Sequence, residues 1–418
     1  MFTTRAIALA TPIAIAIGCG ALSLACGEES ARFETGCDTE LVLGQTFSLP
    51  QNPGDRSFQG HASFDGRAIW LTHAQAPADE ETIVVSALRV HCNGTEASAS
   101  TRLAEQSGIQ TEPRVTSSQG QVLIAWQHDD QVSSANLSVH YLHFDREAGP
   151  AGAQIRHLDT QYKGSSAANT WFPELSASKA GFAVAGLRGV SDYDSFQTFV
   201  QRIDRDGNMV GASIDGNLQD ERSQSAPSAL LGDDNSLTLA WSETDVDGNN
   251  QVLHVHIDAD AEQPVGAPIL ASRQGGSMSS QGGNESEGQF MAFITEDGAV
   301  AVKPSELFNA EAPVLHVREP GGGPLAPKIA VGPTGGAVAW IEPLTGFNGE
   351  IHLQGFVGDG FDMERAGSAM RITTDAPAII PYGIDIEHIE DSVYMITWTE
   401  GPTSDLQIKW QMVDFAPT

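Results

Sequence analysis

Basic residues are scarce in this chain. Twenty-two Lys and Arg stand against 54 Asp and Glu, a formal net charge of −32 over 418 residues, and an excess of that size repels phosphate backbones and anionic lipid surfaces alike. Nucleic acid is therefore not an expected partner, and the acidic side chains read first as solubilising. Cysteine is nearly absent, with four in the whole chain. Short catalytic signatures are missing too: there is no P-loop, no CxxC pair, no HExxH and no GxSxG elbow. The chemistries those motifs carry are set aside. An enzyme as such is not, because a site assembled from several repeats leaves no short signature.

What is abundant is glycine, 43 residues spread along the chain, together with a recurring apolar segment. Gly335-Gly336-Ala337-Val338-Ala339-Trp340-Ile341-Glu342 has near relatives ending at Trp126, Trp241 and Trp398, and weaker ones at Trp70, Gly186 and Phe293. Successive markers lie 56, 60, 55, 52, 47 and 58 residues apart, a period that signals stacked repeats. Seven units of this size share one architecture more readily than they split into separate domains.

The chain opens with one positive charge at Arg5 and an apolar run from Ala6 to Ala25, which reads as an export signal over residues 1–25; an uncleaved membrane anchor is the alternative. Leu22-Ser23-Leu24-Ala25-Cys26 resembles the lipobox of bacterial lipoproteins, departing from it at Ser23, where leucine is usual. The resemblance implies lipid on Cys26, a tether over residues 26–36 and a membrane-anchored envelope protein, in the outer membrane if the source is Gram-negative. Ala16-Ile17-Gly18-Cys19 is a rival box, but cleavage there would leave apolar residues on the mature end. Cys37 and Cys92 then remain, and an exported protein with two cysteines is expected to join them.

Within one repeat, Pro327 to Thr374, four short extended segments alternate with turns: near Lys328–Val331, Ala337–Ile341, Ile351–Phe356 and Ala369–Thr373. Asp-Gly and Gly-Asn pairs supply the positive backbone angles of tight hairpins. In the second segment a large residue, a small residue and an aromatic follow one another, as in Val338-Ala339-Trp340. Alternation puts the large residue and the aromatic on one face and the small one on the other, so both faces are buried, one of them closely. The chain thus resembles a seven-bladed β-propeller of four-stranded antiparallel blades over residues 37–418; a pair of β-sandwiches or a ring of six or eight blades are the alternatives. There is no WD or kelch signature and no Ser-x-Asp-x-Gly-x-x-Trp box of sialidases, so no family active site carries over. The last unit lacks a fourth strand, and Leu43 to Leu49 matches the missing one. The expectation is that residues 40–49 close the ring beside residues 407–414, with a Cys37–Cys92 bridge pinning them.

Two residues beyond the markers stand Thr72, His128, Arg188, Glu243, Thr295, Glu342 and Glu400. Of these His128, Arg188, Glu243, Glu342 and Glu400 form the candidate binding rim, with Glu342 and Glu400 the first carboxylate pair to examine; the plainer alternative is that they are solvated strand ends. Asp245 and Asp247 space oxygens like the start of a calcium loop, but His256 stands where its closing glutamate belongs. Ca²⁺ there is the one cofactor expectation. His254 and His256 share a strand face without an identifiable third ligand. The reading that follows is a monomeric, non-enzymatic envelope module that binds a protein or glycan. The alternative is a propeller hydrolase acting on carbohydrate. A close, buried carboxylate pair at the channel mouth distinguishes the hydrolase, and evenly spread, exposed acids the binding module.

Overall fold

The computed structural model describes residues 36–78, 82–104, 108–131, 137–158, 169–190, 195–216, 222–245, 247–272, 279–284, 288–304, 314–344, 348–358, 362–373 and 379–415. The export signal, the Cys26 box and the tether up to residue 35 lie outside them. The strands form seven four-stranded antiparallel sheets, one per blade. A three-residue strand, β1 (Thr46–Ser48), precedes blade 1, which is β2 (Arg56–Phe64), β3 (Ile69–Ala76), β4 (Val84–Val90) and β5 (Thr101–Arg102). Blade 2 is β6 (Ile109–Ser118), β7 (Gln121–Asp129), β8 (Leu137–Asp145) and β9 (Arg156–His157). Blade 3 is β10 (Thr170–Ser178), β11 (Gly181–Val190), β12 (Ser195–Ile203) and β13 (Met209–Asp215). Blade 4 is β14 (Gln224–Leu231), β15 (Leu237–Thr244), β16 (Asn250–Ile257) and β17 (Ile269–Leu270). Blade 5 is β18 (Ser279–Asn284), β19 (Gly288–Ile294), β20 (Val300–Pro304) and β21 (Leu315–Arg318). Blade 6 is β22 (Leu325–Gly332), β23 (Gly335–Pro343), β24 (Gly349–Val357) and β25 (Glu364–Arg371). Blade 7 is β26 (Ile379–Glu390), β27 (Val393–Glu400) and β28 (Gln407–Asp414), completed by β1 on its outer edge.

The large, small, aromatic pattern does what alternation requires. Each of seven core clusters is made by two neighbouring blades, the bulky face of one meeting the small face of the one before it. Leu239 and Trp241 of blade 4 lie against Ala183 and Ala185 of blade 3. Ile396 and Trp398 of blade 7 lie against Ala337 and Ala339 of blade 6. Blades 5 and 6 meet through Ala292, Val338 and Trp340, and blades 7 and 1 through Met395, Trp410, Ile69 and Leu71.

Ring closure follows the expected register. Thr46, Phe47 and Ser48 pair with Gln411, Trp410 and Lys409, and the Gly44 and Leu49 amides donate to the carbonyls of Met412 and Ile408 at 2.9 Å each. This pairing covers the edge that β28 would otherwise expose. Cys37 and Cys92 are joined, with Cα atoms 5.6 Å apart. Asp38 beside them accepts from His91 Nδ1 at 2.6 Å, so the entering chain is fixed to blade 1 before it reaches blade 7.

Two details differ from the sequence reading. In blade 1 the marker position falls on His73, not Trp70: the residue before the marker pairs with the innermost strand as Arg114↔Ala125 in blade 2 and as His61↔Thr72 in blade 1. Trp70 was conspicuous because it is the aromatic of its strand, but it pairs with Ser63, two positions further on. In blade 6 the outer strand starts at Glu364 rather than Ala369, because pairing resumes beyond a register shift between Leu353 and Gly355 and continues to Glu364 opposite Val357.

The markers are wedges between sheets, and Trp340, 2% exposed, is packed on that seam. Trp340→Ala is expected to lower unfolding free energy by about 3–5 kcal/mol through lost burial and a residual cavity. Denaturant unfolding measures this, and a loss below about 1 kcal/mol would remove Trp340 from the seam.

Candidate functional site

The innermost strand of each blade faces the central channel with an edge that no strand covers, and its backbone groups still need partners. Side chains of the preceding blade supply several. Asp385 and Glu387 of blade 7 accept the amides of Ala62 and Phe64 in blade 1, at 3.0 and 2.9 Å. Thr399 accepts that of Gln59 at 3.0 Å, Gln59 accepts that of Glu112 at 2.9 Å, and Ser176 accepts that of Leu231 at 3.0 Å.

Five of the seven innermost strands bulge near their start, with a non-glycine residue at positive φ: Gln59 (56°), Glu112 (52°), Phe172 (49°), Ala226 (47°) and Ala326 (50°). In four of them proline follows, at Pro113, Pro173, Pro227 and Pro327. A proline has no amide to leave unpaired, which suits a strand with one open edge. Directly after the bulge comes a channel residue: His61, Arg114, Glu174, Ser228 and Lys328, with Asp385 and Ser280 at the same register position in blades 7 and 5. Each pairs with the residue before the marker, Thr72, Ala125, Ala185, Ala240, Ala339, Thr397 or Ala292. Cross-strand partners share a face, so the small residue there leaves room beside the channel side chain.

Three of these side chains and one bulge residue make a continuous ionic cluster. Arg114 Nη2 lies 3.3 Å from Glu112 and 3.2 Å from Glu174, and Lys328 Nζ lies 3.0 Å from the same Glu174 oxygen. Lys328 belongs to blade 6 and Glu174 to blade 3, so that contact crosses the ring. His61 Nδ1 lies 3.3 Å from Asp385 and 3.4 Å from the Val115 amide; it can donate to the first or accept from the second, not both.

The two glutamates are driven apart in protonation. Burial raises the Glu112 carboxyl above its ordinary value and the Glu174 charge adds to this, with Arg114 opposing. Burial also acts to raise Glu174, but Arg114 and Lys328 outweigh it and hold the group down at about 2. Glu112 is thus the carboxyl of the higher proton affinity and Glu174 the one of the lower. Burial acts to lower the pKa of their shared Arg114, but Glu174 and Glu112 outweigh it and raise it. Burial takes His61 down to about 4, with Asp385 opposing, so its ring is neutral near pH 7.

The five rim residues are not brought together. Glu243, Glu342 and Glu400 each accept the indole N–H of the marker tryptophan two residues earlier, at 3.0, 2.7 and 2.8 Å, and each meets a cation of its own neighbourhood, Arg222, Arg318 and Lys409. Arg188 lies 3.1 Å from Asp215 and 4.6 Å from the Phe199 ring centroid. His128 stands where a glutamate would cap Trp126, whose N–H finds no acceptor, and stacks on His140 at 4.6 Å. All five sit on the second strand of a blade, one strand away from the channel. Asp245 folds its own turn, accepting from the Asp247 and Asn249 amides at 2.9 and 2.8 Å, while Asp247 points to solvent. Among the described residues no group of three or more His, Cys, Asp or Glu could hold a metal ion. His254 is buried and His256 pairs with Asp258 at 3.3 Å, so that histidine pair is divided between two environments.

The channel residues escaped the sequence reading, although a signal was present. Pro113, Pro173 and Pro327 lie thirteen residues before Trp126, Gly186 and Trp340, and Pro227 lies fourteen before Trp241. That spacing marks the bulge, and the residue after each proline is the one that enters the channel.

No protein-family model matches the chain, and no curated protein matches it. Solved structures of similar architecture include the Hadza microbial sialidase Hz136, at 12% identity and a TM-score of 0.49, covering 83% of this chain and 76% of that one. They also include Trypanosoma rangeli sialidase, at 10% identity and a TM-score of 0.46, covering 87% of this chain but only 60% of that one. A protein of unknown function from Dyadobacter fermentans DSM 18053 matches at 10% identity and a TM-score of 0.49, with 90% and 99% covered. Identities this low tie no residue of this chain to a residue of theirs. The expectation of a non-enzymatic binding module nonetheless does not stand. The channel holds a close carboxylate pair, Glu112 and Glu174 on one Arg114 nitrogen, the feature that distinguishes the hydrolase alternative.

Three buried histidines set an acid limit on stability. Burial lowers His61 and His73 to about 4, and His140 to about 3 with help from His157 and His128. An unfolded chain protonates them near 6.5 while the folded one does not. Stability is therefore complete above pH 6.5 and falls as pH drops toward 4. His73→Gln should remove up to about 3 kcal/mol of the loss seen by pH 4, read as a flatter plot of unfolding free energy against pH. An unchanged slope would show that His73 charges freely in the fold.

Proposed function

We propose that this protein is a propeller hydrolase that cleaves glycosidic bonds at the ionic cluster of its channel. The observation that carries it is the Glu112 and Glu174 pair, two carboxyls held on one Arg114 nitrogen with their proton affinities driven in opposite directions. Glycoside hydrolysis needs that division: one carboxyl gives a proton to the departing oxygen while the other, ionised, faces the positive charge growing on the sugar. Glu112 carries the proton and Glu174 the charge. Two carboxyls on one nitrogen leave no room for the water of an inverting site, where a separation of roughly 6.5 to 9.5 Å is usual, and the arrangement fits direct attack by Glu174. Water then releases the sugar, with Glu112, now ionised, taking the proton back.

The test uses 4-nitrophenyl glycosides and the variant Glu112→Gln. Glutamine keeps the shape of Glu112 and a side-chain oxygen to accept from Gln59 Nε2, and thermal stability serves as the control for folding. Turnover should fall by about 100-fold or more, the usual contribution of a general acid. In the unaltered protein, activity should fade as pH rises through the raised Glu112 value. Retained turnover in a stable Glu112→Gln protein would remove Glu112 from the chemistry.

The lipobox resemblance of Leu22 to Cys26 supports placing this activity at a membrane of the cell envelope, with Cys26 acylated and the propeller carried on the tether that follows. Cys26→Ser should move the protein from the membrane to the soluble fraction. If only Cys19→Ser does so, the rival box is the lipidated one.

A further inference from the structure

We propose that the open cleft between blades 4, 5 and 6 binds an alkylammonium group, a short carbon chain ending in a primary ammonium. The cleft has a volume of about 480 Å³, within the range of small-molecule sites, and none of the channel cluster's residues lines it. Its walls come from three stretches at one end of the blades: the turn from β15 to β16 with Asn249 and Asn250, the turn from β19 to β20 with Thr295 and Glu296, and the run Gly322–Leu325 into β22. The entering chain is fastened at the other end, where the amides of Gly36 and Asp38 donate to the carbonyls of Gly66 and Arg67 in the β2–β3 turn, at 2.8 Å each. The chain thus joins the propeller away from the cleft.

The walls are held in place by the protein itself. The Gly321 amide donates to the Asp297 carbonyl at 2.9 Å, and Arg318 Nη1 donates to the Gly298 carbonyl at 2.7 Å, so the run into blade 6 is tied to the turn of blade 5. The third wall is set by Asp245, which accepts from the Asn249 amide at 2.8 Å and from its side-chain nitrogen at 3.3 Å. A cleft fixed in this way costs a ligand little ordering. Gly323 leaves one side bare, since a Cβ added there would meet nothing within 4 Å.

What the cleft offers is one charge, an acceptor and an apolar surface. Glu296 is exposed and has no partner among the described residues. The guanidinium groups next to these walls, Arg222 beside Asp245 and Arg318 beside Gly322, are already held by carboxylates, Arg222 by Glu243 at 2.9 Å and Arg318 by Glu342 at 2.8 Å. Asp297, the other carboxylate of the β19–β20 turn, accepts from the Thr295 hydroxyl at 2.5 Å. The unanswered charge of the cleft is therefore negative. Asn249, whose side-chain nitrogen is taken by Asp245, keeps its Oδ1 as an acceptor, and Ile294, Pro324 and Leu325 supply the apolar surface. An anion would meet Glu296 with no cation to offset it, and the net charge of −32 draws cations in and turns anions away. A carbon chain along Ile294 and Leu325 with its ammonium at Glu296 and Asn249 uses all three features, much as a lysine stem lies on apolar surface while its head stays in polar surroundings. Two sources carry this group, a free diamine and the lysine side chain of a peptide.

Calorimetric titration of the full chain with cadaverine, the Nα-acetyl amide of lysine, pentanediol and glutarate tests this, because the four are of similar length and differ in charge. The expected result is binding of cadaverine at a single site, about tenfold or more tighter than pentanediol, no binding of glutarate, and an affinity that falls as salt is raised. Glu296→Gln should weaken cadaverine by about tenfold or more, the worth of a hydrogen bond to a charged group, with thermal unfolding unchanged. Gly323→Phe should block the cleft. Binding of cadaverine alone assigns the site to a free diamine, and binding of the lysine derivative as well extends it to a peptide side chain. Pentanediol held as tightly as cadaverine, or an affinity untouched by Glu296→Gln, would overturn the proposal. So would an equal loss in Glu96→Gln, at the opposite end of blade 1, which would reveal diffuse attraction to an acidic surface, and so would the absence of binding by either amine.

Discussion

The open edge of the innermost strand is the constraint from which the centre of this molecule follows. In a closed ring each blade has a neighbour strand for every edge but two: the outer one, which faces solvent, and the inner one, which faces six others across a narrow channel. Water can serve the first. The second needs acceptors from protein, and here they come from Asp385, Glu387, Thr399, Gln59 and Ser176 on the preceding blade. Once carboxylates are placed in a channel for that purpose, cations must accompany them, since a buried charge is tolerated only when paired. The bulges and their prolines belong to the same accommodation: they remove amides from the open edge and turn the following side chain inward.

How the blades pack sets how closely the channel is drawn. Alanine at the position before most markers lets one sheet lie against the bulky face of the next, and the same small residue lies across from each channel side chain. A larger residue there would push the blade away from its neighbour and crowd the channel side chain at once. The seam and the channel are therefore adjusted by one position in the repeat, and neither can be altered without the other.

Much of the architecture was legible because it repeats. A pattern that must bury both faces of every second strand recurs at a regular interval, and the closing strand could be recognised because Leu43 to Leu49 looks like the outer strands of other blades. The cysteines were legible from topology alone. The channel was not, because its residues differ from blade to blade: His61, Arg114, Glu174, Ser228, Ser280, Lys328 and Asp385 share a place but no chemistry. Only the proline before several of them repeats. Polar residues after the markers attracted notice instead, because they do repeat, yet the repetition of Trp-x-Glu at Trp241, Trp340 and Trp398 has a structural cause, an indole N–H that must be satisfied when its ring is buried. In this fold the recurring polar residue serves the scaffold, and the residue that varies at a fixed place is the one available for chemistry.

The division of protons between Glu112 and Glu174 depends on the ring as a whole. Arg114 lies almost equally close to both carboxylates, at 3.3 and 3.2 Å, and by itself gives neither a decisive advantage. Lys328 breaks the tie. It pairs with Glu174, so the second positive charge adds to that of Arg114 in lowering this carboxyl, while burial leaves Glu112 the higher proton affinity. Lys328 arrives from the far side of the channel, and its distance to blade 3 is set through the blades between them in either direction. One of those routes passes through blade 7, whose last strand is held by β1, and through blade 1, to which the Cys37–Cys92 bridge fastens the entering chain. A ring free to open at that seam would let blade 6 move relative to blade 3, and a displacement of an ångström or two is enough to lose a 3.0 Å ion pair. The closing strand and its disulfide, remote from the cluster, are thus among the groups that hold the two glutamates at different proton affinities.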